Sequence, residues 1–139
     1  MKRINLVIIG CIAVSLVFWF TNPDFILEYL AFSGDNLIRG RVWTMITSLF
    51  IHADPLHLIG NMLFLYVFGN TIEEELGANK TIGAFFFGGV LSFLLSLLFY
   101  HPSVPLIGAS AAIFTLASIV MLTKPLKFSI LLFMPQGLV

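Results

Sequence analysis

Three polar residues stand where this sequence is otherwise strongly apolar, and their side chains could carry out hydrolysis. Ser110 lies in the small-residue stretch Gly-Ala-Ser-Ala-Ala, while His57 and Asn61 lie in an apolar run that begins at Pro55. Polar groups at membrane depth are costly unless they are partnered, so they indicate a functional site. A serine can act as a nucleophile, and the N–H groups of histidine and asparagine are the donors that a tetrahedral oxyanion requires. The sequence therefore predicts a hydrolytic site within the membrane.

The spacing of these residues predicts how helices would position them. Asp54 can cap a helix that begins at Pro55, where the missing proline N–H costs nothing. His57 then lies in the first turn and Asn61 one turn deeper on the same face, since residues i and i+4 align. Ser110 lies near the outer end of its own apolar segment, as His57 does. Antiparallel neighbouring helices could therefore bring the three side chains together at one depth.

The composition indicates a polytopic helical membrane protein of one domain. Hydrophobic residues make up 59% of the 139 residues, charged residues make up only 10%, and the mean hydropathy is +1.03. Fifteen Phe against seven Lys and Arg would leave a soluble fold with too little polar surface. The formal net charge of zero gives no basic patch, and so no indication of nucleic-acid binding. The single Cys11 can form no disulfide within the chain.

Four apolar segments are each close to the length that crosses a membrane, and a fifth begins at the end of the sequence. The four are residues 4–20, 55–72, 81–100 and 108–123. At ~1.5 Å per residue, the shorter ones need local thinning of the ~30 Å hydrocarbon layer. The fifth, residues 126–139, is too short to cross and contains Pro135. We therefore expect an all-α transmembrane helix bundle, with residues 1–139 forming a single domain that is incomplete at its C-terminus.

The N-terminal segment and the connection after it set the expected orientation. A cleaved signal peptide is the alternative for residues 4–20, but no small-x-small cleavage site precedes Thr21, so we expect a retained span. The long connection, residues 21–54, is too apolar for a free linker and should lie in the interface, with Trp43 at headgroup depth. Alternating sides group Lys2, Arg3, Lys80, Lys124 and Lys127 against Arg39 and Arg41. This excess predicts a cytoplasmic N-terminus and an outward-facing first loop.

Several of the polar residues also admit structural interpretations. An isolated serine in a membrane helix commonly bonds to its own backbone, but Ser110 has only small neighbours, which leave room for another chain to approach. His52 precedes its helix and is expected to form structural hydrogen bonds, and His101 is expected in a solvated loop. His52 and His57 with Asp54 could hold zinc in principle, but there is no His-Glu-x-x-His pattern and we expect no metal.

Two further patterns concern helix packing and helix ends. Gly88, Ser92 and Ser96 are spaced four apart, a small-residue row that lets helices approach closely. Three consecutive glutamates, residues 73–75, follow the second apolar segment. Carboxylates at a helix C-terminus oppose the helix dipole, so at least one of them should have a local partner.

Taken together, these motifs closely resemble those of the rhomboid intramembrane serine proteases. The resemblance covers essentially the whole chain from the first loop onward, with separated elements in the family's order. The elements are Trp43, His52-x4-His57-x3-Asn61, Gly69-x3-Glu73-x3-Gly77 and Gly108-x-Ser110.

The resemblance implies a six-helix core in which Ser110 is the nucleophile. His57, Asn61 and the Ser110 N–H would form the oxyanion hole, and a histidine on the sixth helix would be the general base. It also implies that no cofactor is needed and that transmembrane protein substrates enter laterally from the lipid bilayer. The supporting residues would be His52, Trp43, Gly108, Glu73 and Gly77.

The sequence departs from the family pattern at three places. Thr44 follows Trp43 where the family has arginine, so the anchoring role of that arginine is lost or passes to Arg41. Ala111 replaces the glycine that usually follows the nucleophile, and the sixth helix with its histidine is absent. A serine without its base loses orders of magnitude in rate, so we expect no measurable proteolysis from the 139-residue chain alone.

The function predicted is an intramembrane serine endopeptidase that acts by Ser–His acyl transfer, with the base missing from this chain. The alternative is a non-catalytic rhomboid-like protein that binds transmembrane helices, which would explain Ala111 and the missing base. The joint presence of Ser110, His57 and Asn61 favours the protease, because helix binding does not require all three. Short loops and the lack of extra domains favour a prokaryotic cell membrane as the location.

Overall fold

All regular structure in the described part of the chain is helical. The computed structural model describes residues 1–126, in which the one extended pairing is an isolated β-bridge between Phe32 and Leu106. The helices are α1 Ile4–Phe20, α2 Pro23–Leu30, α3 Gly34–Ile38, α4 Thr44–Thr47, α5 Pro55–Phe64, α6 Asn70–Leu76, α7 Ala78–Ser96 and α8 Ser110–Thr123. The fifth apolar segment, residues 126–139, lies outside the described residues except for Leu126.

The four predicted segments correspond to helices whose ends differ from the prediction where local chemistry overrides hydropathy. α1 has the predicted bounds. α5 and α6 join through a π-helical turn, Leu65–Gly69, and the stretch continues past residue 72 until Gly77 ends it at φ +86°. α7 starts directly after this glycine. Its first turn contains the polar residues Asn79 and Lys80, and for this reason a hydropathy pattern does not include it. α7 ends before residue 100, because the N–H groups of Phe99 and Tyr100 both turn back to one carbonyl.

One of the described helices, α7, is long and apolar enough to cross a membrane by itself. α1 and α8 are apolar but shorter, so the count of four spans stays a prediction. Large apolar side chains of both α7 and α8 point outward: Phe87 is 70% exposed and Phe114 is 71% exposed. An exterior with such large exposed apolar side chains suits contact with lipid.

The first loop folds into three short helices rather than one amphipathic element. Asn22 caps α2 by accepting from the Phe25 N–H, and Ser33 caps α3 by accepting from the Asn36 N–H. α4 continues into a 3-10 turn, Ser48–Phe50. Each cap fixes a new helix start, so this loop forms separate short helices, and its place in the interface stays a prediction.

Arg41 ties the short helices of the first loop together. Its Nη1 donates to the Glu28 carbonyl and to Asn36 Oδ1, each at 2.9 Å, and its guanidinium lies 4.3 Å from the centre of the Tyr29 ring. Trp43 Nε1 donates to the Tyr29 carbonyl at 2.8 Å. Arg41 therefore occupies the position that an anchor of this loop requires.

The most extensive helix contact joins α7 to α8, and small residues make it possible. Gly88 is buried against Thr115: a Cβ at Gly88 would lie 2.6 Å from the Thr115 Cβ. The neighbouring Gly89 packs in the same way against Leu49 of the first loop. Gly88, the first member of the predicted small-residue row, thus permits the close approach of two helices.

Glu73 caps the first helix from a distant part of the chain. Its carboxylate oxygens accept hydrogen bonds from the backbone N–H groups of Arg3 and Ile4, both at 2.8 Å. These N–H groups begin α1 and have no acceptor within their own helix. The adjacent Gly69 allows the approach, since a Cβ there would lie 2.7 Å from Ile4 Cγ1. The prediction that at least one of the three glutamates has a partner is confirmed.

The other two glutamates bind lysines at the same end of the bundle. Glu74 pairs with Lys2 and Glu75 pairs with Lys124. Lys124 follows the last residue of α8, so this end is opposite the one where α8 begins. Lysines from both termini of the described chain therefore lie at one end of the bundle. This agrees with the prediction that groups Lys2 and Lys124 on the same side.

Replacing Glu73 with glutamine is expected to destabilise the protein by about 1–2 kcal/mol, because the neutral amide offers one acceptor oxygen to two N–H groups. Glu74→Gln is the matched control, since its side chain is 59% exposed and its ion pair with Lys2 is a surface one. Surface ion pairs contribute about 0–1 kcal/mol to the free energy of unfolding. The free energy of unfolding is measured by SDS titration in detergent micelles, followed by circular dichroism. Equal destabilisation by the two substitutions would contradict the capping role.

Candidate active site

Ser110 is the first residue of α8, and a hydrogen-bonded turn presents it. The helix was expected to start at residue 108, but Gly108 has φ +107°, which is not helical. The Gly108 N–H donates to the Ser48 carbonyl at 2.8 Å, and the Leu106 N–H donates to the Phe32 carbonyl at 2.7 Å. Ala109 gives α8 no side-chain cap. Ser110 thus lies at a helix N-terminus whose N–H groups and dipole favour negative charge.

The start of α5 places His57 and Asn61 against this hydroxyl. Asp54 accepts from the His57 N–H at 2.8 Å and so caps the helix as the sequence indicates. Ser110 Oγ lies 3.5 Å from His57 Nε2 and donates to Asn61 Oδ1 at 3.0 Å. All three side chains are partly buried. The structure therefore brings together the three residues that the sequence singled out.

The surrounding hydrogen bonds assign a direction to each contact. Asn61 Nδ2 donates to the His57 carbonyl at 2.8 Å, which fixes the orientation of the amide and leaves Oδ1 facing Ser110. The Ala53 N–H donates to His57 Nδ1 at 3.4 Å. A neutral imidazole that accepts at Nδ1 carries its proton on Nε2, the atom that faces Ser110. His57 is therefore a donor towards the hydroxyl, not an acceptor of its proton.

A largely apolar cavity of about 490 Å³ opens beside Ser110 between α5 and α8. Besides His57, Asn61 and Ser110, its lining residues are Leu56, Gly60, Phe64, Phe68, Ile113, Phe114 and Ala117. Ligand sites are typically concave and apolar with a few convergent polar groups. Such polar groups lie at the wall of this cavity, and the cavity has space beside them for an apolar side chain.

The other two histidines lie apart from the hydroxyl. His52 is fully buried, and its Nε2 accepts from the N–H of Ala109, the residue before Ser110. His101 is exposed in the loop before α8, where its Nδ1 lies 2.8 Å from Ser103 Oγ. In the part of the chain that the structure describes, no three His, Cys, Asp or Glu side chains are grouped to hold a metal ion.

The predicted supporting residues lie in three places. Gly108 and His52 adjoin the turn before Ser110. Trp43 lies in the first loop, while Glu73 and Gly77 lie at the opposite end of the bundle, where they act on α1 and on the end of α6. Sequence reasoning missed Ser15 and Ser48, which hold His52 and Gly108. A lone hydroxyl in the apolar α1 could have identified Ser15, but nothing marks Ser48, because its backbone carbonyl makes the contact.

Comparison with known proteins relates this chain to one family. A family model described as a Rhomboid domain matches residues 39–139. Rhomboid-like protein 11, chloroplastic, of Arabidopsis thaliana is 38% identical over 82 residues, which are 59% of this chain and 29% of that protein. Rhomboid protease GlpG of Salmonella choleraesuis (strain SC-B67) is 27% identical over 77 residues, 55% of this chain and 28% of that protein. The matches thus span less than a third of the length of these relatives.

Proposed function

The chain belongs to the rhomboid family, and we propose that it carries the nucleophile and the oxyanion-binding residues of an intramembrane serine protease. As a rhomboid it is an integral membrane protein with a helical fold. One observation carries the proposal: Ser110 Oγ lies 3.0 Å from Asn61 Oδ1 and 3.5 Å from His57 Nε2, at the start of a helix.

The proposed reaction is acyl transfer from a peptide bond to Ser110. Oγ attacks the carbonyl carbon and its proton passes to a base; the C–N bond then breaks, and the departing amine takes the proton. Water hydrolyses the acyl-enzyme in a second step. His57 Nε2–H, the Ser110 N–H and an Asn61 Nδ2–H would donate to the oxyanion. Asn61 Nδ2 has two N–H groups and uses one on the His57 carbonyl, which supports this role.

None of the three histidines in the sequence is placed to be the general base. His57 presents a proton to Ser110, His52 Nε2 already accepts from the Ala109 N–H, and His101 is in an exposed loop. The Ser110 proton instead points to the Asn61 amide oxygen, which is not basic. A histidine base on a further helix is therefore part of the proposal, as the family resemblance implies.

The proposed substrates are transmembrane proteins that reach the site from the bilayer. The apolar cavity beside Ser110 would take an apolar side chain next to the cleaved bond. We also propose that the end carrying Lys2 and Lys124 is cytoplasmic, in keeping with the excess of basic residues there. The prokaryotic cell membrane stays a prediction, since the similar proteins include both bacterial and plant rhomboids.

Ser110→Ala is expected to abolish labelling by a fluorophosphonate probe and cleavage of a transmembrane substrate. The loss should exceed about 1,000-fold, because the substitution removes the only atom that bonds to phosphorus or to the acyl carbon. The matched control is Ser118→Ala on the same helix, whose hydroxyl only back-bonds to the Phe114 carbonyl at 2.8 Å. Both are measured on protein isolated from its native membrane, so that any sequence joined to this chain is retained.

The outcomes separate the two functional classes. Labelling that survives Ser110→Ala would mean that the nucleophile is wrongly assigned. A wild-type protein that binds transmembrane helices but neither labels nor cleaves would favour the non-catalytic alternative. Loss of labelling in Ser110→Ala alone, with Ser118→Ala unchanged, supports the protease.

A further inference from the structure

His52 links the first helix to the peptide that precedes the proposed nucleophile. It lies in the loop between the 3-10 turn and α5, and its side chain is fully buried. On one side its Nδ1 is 3.2 Å from Ser15 Oγ of α1. On the other side its Nε2 is 3.3 Å from the backbone nitrogen of Ala109. One imidazole thus spans the space between two helices that are far apart in sequence.

The partners of this ring fix the position of its proton. A backbone N–H can only donate, so the nitrogen that faces Ala109, Nε2, must be unprotonated. A neutral ring then carries its proton on Nδ1 and donates it to Ser15 Oγ. Ser15 Oγ in turn donates to the Phe50 carbonyl at 3.1 Å and accepts from the His52 N–H at 3.1 Å. Every donor in this cluster therefore has an acceptor in the neutral Nδ1–H tautomer and in no other.

The Ala109 peptide is the last of three that hold the turn before Ser110. The other two N–H groups, of Leu106 and Gly108, are bound to backbone carbonyls, which do not titrate. The Ala109 carbonyl accepts from the Ile113 N–H at 2.9 Å and so belongs to the first turn of α8. Its orientation consequently sets the direction in which the Ser110 side chain leaves the helix. Only the third bond depends on a group that can take up a proton.

We propose that His52 is a positioning residue of the site, whose neutral Nδ1–H tautomer holds the Ala109 peptide and whose protonation at Nε2 releases the start of α8. The inference rests on the proposed function, in which Ser110 is the nucleophile. A proton on Nε2 would face the Ala109 N–H, so two donors would meet in a buried space with no acceptor between them. The turn would then have to move, and the proposed nucleophile with it.

The groups around His52 determine the direction of its pH dependence. Its neighbours are Ser15 and Trp19 from α1, His57 from α5 and the Ala109 peptide just before α8; of these only His57 has an ionisable side chain, with its ring centre 5.1 Å away. Burial, and then the proximity of His57, lower the pKa of His52 to about 4, although a hydrogen bond to the Phe50 backbone opposes this. The unfolded chain takes up the proton at the ordinary value of about 6.5. Stability contributed by neutral His52 is therefore complete above that pH and is lost as the pH falls towards 4.

The tautomer can be tested without any assay of proteolysis. In the chain labelled with ¹⁵N-histidine in detergent micelles at neutral pH, one histidine should show a protonated Nδ1 and an unprotonated Nε2. That signal should be missing from His52→Gln and should convert to the doubly protonated form only near pH 4, with loss of native structure. A His52 signal with its proton on Nε2, or doubly protonated at neutral pH, would overturn the inference. Neither result depends on whether Ser110 is a nucleophile.

Two variants then distinguish a role of His52 in positioning the Ala109 peptide from a general role in supporting the fold. The Oε1 of His52→Gln reaches the place of Nε2 and can accept from Ala109 without titrating, whereas the shorter His52→Asn can reach only Ser15. We expect His52→Gln to keep the Ser110 labelling rate at neutral pH within about threefold and to lose the structural transition of the wild type near pH 4, followed by circular dichroism. His52→Asn should lower kcat at least about tenfold with little change in KM, because the substrate cavity is untouched. Equal activities of the two variants, or a structural transition near pH 4 that persists in His52→Gln, would contradict the positioning role.

If the proposed function were wrong, the experiments would give a different combination of results. In that case the wild-type protein would not label or cleave at any pH, yet the Nδ1–H signal of His52 would still be present. Loss of this signal in a protein that does label would instead sink the inference on His52 and leave the proposed function standing.

Discussion

Replacing Gly88 with alanine is expected to destabilise the protein by about 1–3 kcal/mol, because the added methyl overpacks the contact between α7 and α8. The new Cβ would lie 2.6 Å from the Thr115 Cβ and 2.7 Å from its Cγ2, distances that real atoms do not reach. The two helices would have to separate along the most extensive helix contact in the described part of the chain. The free energy of unfolding in detergent micelles measures the effect.

The same helix supplies the control for Gly88→Ala. Gly83 is exposed on α7, and a Cβ there would meet no atom within 4 Å. Gly83→Ala should therefore be neutral or stabilise by up to about 1 kcal/mol through helix propensity. Combining Gly88→Ala with Thr115→Gly moves the small residue across the interface and should recover part of the loss. Strictly additive effects in this double-mutant cycle would contradict a direct contact.

Replacing Gly108 with alanine is expected to lower the rate of Ser110 labelling at least about 100-fold, because it displaces the group that faces the hydroxyl. A Cβ at this position would lie 2.9 Å from His57 Cε1 and 3.2 Å from its Nε2. The φ of +107° adds backbone strain, since side chains rarely adopt this region. His57 would have to leave its position 3.5 Å from Ser110 Oγ, and the proposed oxyanion donor would leave with it.

A second glycine distinguishes the effect of backbone strain from the effect of the contact with His57. Gly40 in the first loop also has positive φ, +78°, but a Cβ there would meet no atom within 4 Å. The backbone strain in Gly40→Ala should be comparable and should lower the melting temperature. The labelling rate of this variant should stay near that of the wild type. If both substitutions slowed labelling equally, or if Gly108→Ala labelled normally, the contact between Gly108 and His57 would not be needed.

Local chemistry made several features readable from the sequence. The Asp-Pro pair at residues 54 and 55 places the start of α5, since a cap and an N1 proline act within one turn. His57 and Asn61 fall on one face for the same local reason, the helical period. The bounds of α1 follow from an apolar run, with only Asn5 and Ser15 within it, between charged and polar ends. In each case the residues that decide are neighbours in the chain.

Features that depend on distant partners were not readable in this way. The helices of the first loop pack together through Arg41, which binds both Glu28 and Asn36, and no apolar pattern encodes that contact. The start of α8 shifts to Ser110 because the preceding turn bonds to carbonyls of the first loop. At least one of the glutamates at residues 73–75 was expected to have a local partner, but the partner of Glu73 is the first turn of α1, which lies 69 residues away at Ile4.

The sequence by itself determined the class of protein and the candidate reactive groups, because apolar composition and residue type need no partner to be recognised. It placed a hydroxyl, an imidazole and an amide in segments that are otherwise apolar. The tertiary structure decided which atoms of those groups face one another and where their protons lie. The bonds that settle this join residues far apart: His57 and Ser110 are separated by 53 positions, Ser15 and His52 by 37, and His52 and Ala109 by 57. A histidine becomes a donor at one nitrogen or the other only when its neighbours are in place, and those neighbours are brought by the fold.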